Sequence, residues 1–352
     1  MRNGKEMLPS FRVVLLGCLA LFCASCSTVE PFRLNNPAVN IVWPSLPNIP
    51  RIKYLCDITG PEEIFPPKSK FQKFSEMITG DNRVMLDLLT PYSVTINDKN
   101  IIYIADTSAG VVHRYDLTSR EVEYILKAGE ENLASPVAVA LDQEDNLYIS
   151  DSVLGKVFKY DNNGVFLKEL VTPTGFKRPA GIAISKSDEK YVVDALAQVL
   201  HKCDKDDNYV GEFPKQAPGQ ELNTPTHVAL DADGNVYVTD ALNFVIKVYD
   251  PNGKLIKRIG EIGDVPGSFA RPKGVALDSE GDIYVVDANH DNFQIFNQKG
   301  QLLLFVGKNG SGPGEFYLPS GIHIDKHDRI FVADTFNRRI QVFQFLKAGG
   351  NK

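Results

Sequence analysis

Six copies of one pattern account for most of this chain. In each copy a proline is followed 15 residues later by an aspartate that ends a hydrophobic run. The prolines are Pro91, Pro136, Pro179, Pro225, Pro272 and Pro319, and the aspartates are Asp106, Asp151, Asp194, Asp240, Asp287 and Asp334. Both series step by 45, 43, 46, 47 and 47 residues, a regularity that indicates one structural unit repeated six times. A residue that recurs in every copy is expected to build the scaffold, so unique function is expected where the copies differ.

Each copy contains four predicted β-strands, which in the fourth copy are residues 227–230, 236–239, 245–249 and 255–259. Asp233-Gly234 and Asn252-Gly253 supply the positive φ angles of two-residue hairpin turns, so the unit is predicted to be an antiparallel meander. The second strands are continuous apolar runs, which is typical of strands covered on both faces, whereas the third strands alternate. Blades arranged radially around an axis cover their inner strands in this way.

The ends of the chain predict how the ring closes. The sixth copy stops after its third strand, and residues 51–58 resemble the outer strands 255–259 and 302–306. We therefore expect residues 51–58 to complete the sixth blade and remove an exposed sheet edge. The predicted fold is all-β, a six-bladed β-propeller of four-stranded antiparallel blades over residues 51–346. Cys56 and Cys203 would then lie in opposite blades, too far apart for a disulfide.

The first residues read as an export signal. Arg2, Lys5 and Arg12 flank an apolar run, residues 13–22, that is too short to span a bilayer, so residues 1–25 are predicted to be a signal peptide. The sequence before Cys26 resembles the lipobox of bacterial lipoproteins. That resemblance implies lipidation of Cys26 and, because Ser27 is not aspartate, sorting to the outer membrane. The alternative is a soluble exported protein.

Three further segments lie outside the repeats. Residues 26–50 are rich in proline and are predicted to be an extended tether. Residues 60–88 interrupt the pattern, and Phe71, Phe74, Met77 and Ile78 have the spacing of a short amphipathic helix, expected to lie across a ring face as a cap or as a mobile lid. Residues 347–352 form a short tail.

Charge argues against nucleic acid as a partner. The formal net charge is −6, and removal of residues 1–25 takes away three basic residues and one acidic residue, which gives −8. Binding to nucleic acid depends largely on neutralising phosphates, and this chain has no basic run. Cys23-x-x-Cys26 lacks the following histidine of a haem attachment site, so no cofactor is predicted.

The repeats resemble a known family. The segment 319–325, Pro-Ser-Gly-Ile-His-Ile-Asp, and the segment 330–343, which ends in Arg-Ile-Gln-Val-Phe, are similar to the NHL repeat of six-bladed β-propellers. The resemblance covers residues 89–346 and implies the fold, whereas function stays open because this fold hosts lyases, lactonases, binding scaffolds and receptor domains. Bacterial lipoproteins that this chain resembles often occur alongside multihaem cytochromes, which implies an electron-transfer assembly as one setting.

The positions after each proline are expected to line the central channel. They hold no carboxylate and one histidine, which argues against the several ligands that calcium or catalytic zinc needs. We therefore assign no catalytic residue and no metal ligand. Tyr92, His227, Lys273 and His323 are the channel candidates, and they either bind a small anion or simply fill the channel.

The loops after the six aspartates carry unexpected apolar residues. These are Val153, Leu154, Leu196, Leu242, Phe244 and Phe336. Together they would form a hydrophobic rim of the kind that marks a contact with a partner, although some of them can instead tuck against the neighbouring blade. The six aspartates themselves are predicted to accept hydrogen bonds from loop backbone.

These observations favour a membrane-anchored, non-catalytic scaffold that binds a protein partner in the cell envelope. An enzyme of the lyase or lactonase type and a channel that captures a small ligand are the alternatives.

Overall fold

A computed structural model describes residues 30–65, 85–214 and 218–347, and within them the chain forms six four-stranded antiparallel blades. The strands of blades 1 to 3 are Pro91–Ile96, Ile101–Asp106, Val111–Asp116 and Glu121–Ile125; Pro136–Leu141, Leu147–Asp151, Lys156–Tyr160 and Phe166–Leu170; Pro179–Ile184, Lys190–Asp194, Val199–Cys203 and Tyr209–Phe213. Those of blades 4 to 6 are Pro225–Leu230, Val236–Asp240, Val245–Tyr249 and Leu255–Ile259; Pro272–Leu277, Ile283–Asp287, Asn292–Phe296 and Leu302–Val306; Ile322–Ile324, Arg329–Asp334, Arg339–Phe345 and Ile52–Ile58. The predicted all-β propeller is confirmed.

The predicted ring closure is also confirmed. Ile52–Ile58 pairs antiparallel with Arg339–Phe345, the third strand of blade 6, with Ile52 opposite Phe345 and Ile58 opposite Ile340. The short strand Val42–Trp43 adds a fifth member outside it. The strand edge that the last blade would otherwise expose is therefore covered by the start of the folded chain.

The segment predicted to be a tether lies against the ring in its described part. Phe32 and Leu34 pack on the core cluster shared by blades 6 and 1, and Val39, Ile41 and Trp43 pack on the cluster shared by blades 5 and 6. The backbone of Phe32 donates to Leu117 at 2.7 Å. These apolar side chains gain more from burial than from hydration, so the prolines between them do not keep residues 30–50 extended.

The hydrophobic core lies between neighbouring blades. The second strands are buried along their whole length in blades 1 to 5, as in Ile101–Asp106 and Val236–Asp240. Each core cluster joins side chains of two adjacent blades. This packing confirms the radial arrangement that the continuous apolar runs predicted.

The inner strands run side by side around the channel with their prolines at one end. A Cβ on Gly321 would lie 2.5 Å from the carbonyl oxygen of Tyr92 in blade 1, and one on Gly181 would lie 2.8 Å from Cα of His227 in blade 4. Only glycine allows so close an approach. We call the end that holds the prolines and the strand-ending aspartates the proline face, and the end with the tight turns between strands the turn face.

The inner strands of blades 1 to 5 begin at their prolines, two residues earlier than predicted in blade 4, whereas that of blade 6 begins at Ile322. The pairing shifts register just after the proline in most blades. Proline has no N–H to give to the ladder, which favours such an irregularity. The other short elements are the helix Pro61–Ile64, the 3₁₀ turns Ala241–Asn243 and Thr335–Asn337, and a small hairpin of Lys127–Ala128 with Glu131–Asn132.

Several sequence predictions fall outside the described residues. They are the signal peptide 1–25, the lipidated Cys26, the helix around Phe71 to Ile78 and most of the tail. No helix in the described ranges has the length and apolar character needed to span a bilayer.

The cysteine prediction is confirmed. Cys56 in blade 6 and Cys203 in blade 3 are both buried free thiols. Burial raises the pKa of Cys56 to about 12 and that of Cys203 to about 11, helped in each case by nearby carboxylates.

Candidate functional site

The six aspartates that end the second strands accept hydrogen bonds from loop backbone. In Asp106, Asp151, Asp194 and Asp287 the donors include N–H groups of the loop that follows, as predicted, whereas Asp240 and Asp334 accept there from the side chains of Asn243 and Asn337. Asp151 accepts from the N–H groups of Ala134 and Ser135 at 2.7 and 2.9 Å, and from those of Val153 and Leu154 at 3.1 and 3.0 Å. The second pair lies in the loop after the aspartate, whereas the first pair lies in the loop before the proline of the same blade. Each aspartate therefore accepts hydrogen bonds from two loops of the proline face and holds them together.

A polar residue of the third strand supports four of these carboxylates, and the sequence analysis missed it. It lies seven residues after the aspartate, and the pairs are His113 with Asp106 at 3.5 Å, His201 with Asp194 at 3.5 Å, Lys247 with Asp240 at 2.7 Å, and Gln341 with Asp334 at 3.0 Å. The sequence contains one signal for these residues: a polar side chain recurs seven positions after the aspartate, in a part of the third strand that is otherwise apolar.

These contacts outweigh the effect of burial in two of the aspartates, Asp194 and Asp106, whereas burial still raises the pKa of Asp334. Burial by itself would raise the pKa of Asp194, but His201 and the backbone N–H groups of Ala197, Lys177 and Arg178 outweigh it and lower the pKa to about 2. The same balance lowers the pKa of Asp106. The carboxylates are therefore part of the scaffold.

Four of the six predicted rim residues are exposed and two are not. Val153, Leu196, Leu242 and Phe336 lie at loop tips with 55% to 71% of their surface exposed. Leu154 packs on the core shared by blades 1 and 2, and Phe244 packs on the core shared by blades 4 and 5. The two tucked side chains match the alternative that the sequence left open.

The proline face exposes further large apolar side chains that the sequence analysis did not name. They lie in the loops that enter the inner strands and are Leu89, Leu126, Val171, Ile262, Val265 and Tyr317. In the described residues the turn face exposes three, which are Val165 in a turn and Leu46 and Ile49 in the connection between Val42–Trp43 and Ile52–Ile58. The outer strands expose Leu167, Val210, Ile256, Leu303 and Phe305. Exposed apolar surface is therefore concentrated at one end of the ring.

Three cations lie beside the prolines on the same face. Arg178 and Arg271 directly precede the prolines of blades 3 and 5, and Lys273 directly follows the proline of blade 5. Among the described residues, none of the three side chains lies within 4.0 Å of a carboxylate. The other positions that flank the six prolines hold no carboxylate: Thr90, Tyr92, Ser135, Val137, Ala180, Thr224, Thr226, Leu318 and Ser320.

Three of the predicted channel residues meet across the mouth. Tyr92 of blade 1 and His227 of blade 4 come from opposite sides of the ring, and their rings stack with centroids 6.0 Å apart. The Lys273 ammonium donates to the Tyr92 hydroxyl at 3.0 Å. These contacts favour the interpretation that Tyr92 and His227 fill the channel, whereas the charge of Lys273 has no counter-ion there.

The fourth candidate, His323, lies lower in the channel. It lines, with His227, a cavity of about 350 Å³ whose other walls are mostly aliphatic inner-strand residues. Burial, and then Lys273, lowers the pKa of His227 to about 3, and burial lowers that of His323 to about 4. Nδ1 of His227 and Oγ1 of Thr226 are buried and have no hydrogen-bond partner among the described residues.

A buried charge cluster joins blades 2 and 3 at the turn face. Asp207 is bonded by Lys190 at 2.7 Å, Lys168 at 2.8 Å, Lys159 at 3.1 Å and the hydroxyl of Tyr148 at 2.8 Å. These partners lower its pKa although burial acts in the opposite direction. Three ammonium groups share this one buried carboxylate, and Lys159 also lies 3.6 Å from Asp142. We interpret this cluster as structural because its charges contact one another.

The described residues contain no group of three or more histidine, cysteine, aspartate or glutamate side chains placed to hold a metal ion.

Comparison with known proteins supports the fold. A family model described as a 6-bladed beta-propeller matches residues 222–293 and 279–348, which are the last three blades. The comparison with curated proteins found no match.

Solved structures with a similar fold have diverse descriptions. Virginiamycin B lyase from Staphylococcus aureus is 15% identical, with a TM-score of 0.56 over 73% of this chain and 95% of that chain. An auxiliary nutrient binding protein from Bacteroides ovatus is 12% identical, with a TM-score of 0.59 over 73% of this chain and 70% of that chain. Hydrazine synthase from Kuenenia stuttgartiensis is 14% identical, with a TM-score of 0.54 over 77% and 99% of the two chains. At these identities the likeness shows the fold alone.

Proposed function

We propose that this chain is an NHL-type propeller lipoprotein that binds a protein partner in the bacterial cell envelope through its proline face and performs no chemistry itself. The observation that carries the proposal is the concentration of exposed apolar side chains at that face. Apolar patches of this kind mark contact surfaces on soluble domains.

The scaffold is suited to this role. The aspartates hold the loops of the proline face by up to four backbone hydrogen bonds each, so the exposed tips are presented by a rigid ring. A surface that is ordered before binding loses little conformational entropy when a partner arrives.

The cellular setting rests on the sequence. Lipidation at Cys26 would tether the ring to the outer membrane and restrict its partners to the envelope. The resemblance to lipoproteins found beside multihaem cytochromes favours an electron-transfer assembly in which the propeller serves as a docking unit.

A lyase, a lactonase or a small-ligand binding protein is the competing class, because the channel encloses a cavity of about 350 Å³. Such a volume is within the ~300–1,000 Å³ of small-molecule pockets. The neutral histidines that line it lack the carboxylate or metal partners that these chemistries use in the part of the chain described here.

Affinity purification from membranes tests the proposal. Four changes, Val153→Ser, Leu196→Ser, Leu242→Ser and Phe336→Ser, define the rim variant. Four matched changes on the outer strands, Leu167→Ser, Val210→Ser, Ile256→Ser and Leu303→Ser, define the outer-strand variant.

We expect wild type and the outer-strand variant to recover the same partner and the rim variant to lose it, while thermal unfolding shows that all three proteins are folded. Loss of four exposed apolar side chains from the interface is expected to lower the affinity for the partner at least tenfold. Equal recovery by the rim variant would contradict the proposal.

A further inference from the structure

The cations at the channel mouth are unusual for this chain. The whole sequence has a net charge of −6, yet the twelve positions that flank the six prolines hold three cations and no carboxylate. Arg178 and Arg271 are exposed and Lys273 is half-buried. The carboxylates of this face include the six strand-ending aspartates, which are buried and accept hydrogen bonds from the loops. Others lie at least four positions before the prolines, and two of these, Glu131 and Glu315, are paired with Lys156 and Lys308.

Lys273 has no carboxylate partner in the part of the chain that the structure describes. Its ammonium bonds a neutral tyrosine hydroxyl and lies 5.4 Å from the centre of the same ring. A half-buried ammonium without a carboxylate is poorly compensated, because burial removes hydration and the tyrosine replaces only part of it. A ligand carboxylate would supply the missing charge and complete the hydrogen bonds.

The same mouth is encircled by the exposed apolar tips. Val153, Leu196, Leu242 and Phe336 come from blades 2, 3, 4 and 6, so apolar contacts are available on most sides of the basic centre. A free small anion would leave these side chains in water. A protein segment with acidic residues in the middle and apolar residues on both sides would contact both regions.

We propose that the partner presents a carboxylate-rich segment with apolar flanks, and that its carboxylates pair with Arg178, Arg271 and Lys273. The inference rests on the proposed function and specifies the chemistry of the partner. A second copy of this chain fits less well. Its turn face carries carboxylates such as Asp98 and Asp206, but these are paired with Lys326 and Lys205. In the described residues that face also exposes fewer large apolar side chains than the proline face, namely Val165, Leu46 and Ile49.

Peptide binding to the purified protein tests the inference. Three fluorescein-labelled probes are compared by anisotropy: Phe-Leu-Asp-Glu-Asp-Leu-Phe, its neutral analogue Phe-Leu-Asn-Gln-Asn-Leu-Phe, and an acidic probe without apolar flanks, Gly-Ser-Asp-Glu-Asp-Ser-Gly. The mouth variant carries Arg178→Gln, Arg271→Gln and Lys273→Gln. The matched control carries Lys186→Gln, Lys254→Gln and Lys299→Gln, three exposed lysines of the turn face that have no ion pair in the described residues.

We expect wild type and the turn-face control to bind the acidic, flanked peptide about tenfold more tightly than its neutral analogue. The mouth variant should lose that preference, and added salt should reduce it in the wild type because exposed charges are screened within about 8 Å at physiological ionic strength. The rim variant should bind both flanked peptides weakly.

Three results would overturn the inference: equal binding of the acidic and neutral peptides by wild type, an unchanged preference in the mouth variant, or no binding of any probe at 1 mM. If the unflanked acidic probe binds as tightly as the flanked one, the ligand of the site is a free carboxylic acid and not a protein segment. Concentration-dependent self-association that the mouth variant abolishes would assign the site to a second copy. If partner recovery depends on the rim but not on the mouth, the proposed function stands and this inference fails.

Discussion

At the scale of single residues, the six strand-ending aspartates hold the loops of the proline face in place. Each accepts hydrogen bonds from two loops, which explains why the residue recurs in all six copies. His227 stands where Gly181, Gly274 and Gly321 stand in other blades, and the sequence could mark it as different. That its ring would stack on Tyr92 from the opposite side of the channel depends on the diameter of the ring, which no local pattern encodes.

The two channel histidines are expected to stay neutral at physiological pH. Burial disfavours the imidazolium, and Lys273 adds repulsion for His227, so the pKa values of His227 and His323 are about 3 and about 4. A histidine whose pKa falls on folding supports stability fully above its unfolded value of about 6.5, and that support is lost as the pH falls towards the folded value.

Replacing both rings should therefore flatten the pH dependence of stability. Between pH 7.5 and pH 4.5 the free energy of unfolding of the variant His227→Gln, His323→Gln should fall by about 5 kcal/mol less than that of wild type, because each ring contributes about half of that difference. Urea unfolding at the two pH values measures the difference.

Asp278, whose pKa burial raises to about 6, acts in the opposite direction but is present in both proteins. The control His327→Gln, at an exposed turn, should keep the wild-type slope, and an equal slope in the double variant would show that these rings are protonated in the folded protein.

At the scale of elements, the closing strand was predictable because one strand was missing at one end and a matching strand was present at the other. The packing of residues 30–50 against the ring was not predictable. Proline-rich composition favours an extended chain, but five apolar residues found neighbours on blades 1, 5 and 6 that exist only after the ring has formed. Burial of these apolar side chains against the folded ring therefore determines where residues 30–50 lie.

The register of the closing strand can be tested with one new cysteine. Cys56 lies directly opposite Val342, and both are buried in the same cluster. Facing residues of antiparallel strands have Cα atoms about 4.5–5.5 Å apart, within the range of a disulfide. The variant Val342→Cys should therefore form an intramolecular disulfide on mild oxidation and run faster on a non-reducing gel.

The control for this experiment is Val248→Cys, the equivalent third-strand position in blade 4. Val248 is also buried, but it lies in a different core cluster from both native cysteines. No bridge to Cys56 is expected there. A bridge in the control, or no bridge in Val342→Cys, would show that the strand Ile52–Ile58 does not close blade 6 in this register.

At the scale of the whole molecule, the ring has two unlike ends. The turn face is built from Asp-Gly, Asn-Gly and similar turns, whose polar residues satisfy hairpin geometry. The proline face has longer loops that the aspartates hold in place, so their tips are free to vary without loss of the fold. Function is expected at that face, and the sequence identified four of its exposed apolar residues because they follow the aspartates directly. The other exposed apolar residues of this face lie in connections between blades whose lengths vary, so no repeated sequence position identifies them.

An anchored ring also predicts where the protein is found in the cell. If Cys26 carries the lipid, the variant Cys26→Ser should move from the membrane fraction to the soluble fraction, because acyl chains contribute about 0.8 kcal/mol per buried CH₂ and nothing in the described part of the chain offers a membrane-spanning helix in their place. The matched control is Cys23→Ser, which alters the same segment but keeps the proposed acceptor. Cell fractionation, with mass analysis of the purified N-terminus, measures both. Retention of Cys26→Ser in the membrane, with the rim variant released instead, would mean that the partner rather than a lipid holds the propeller there.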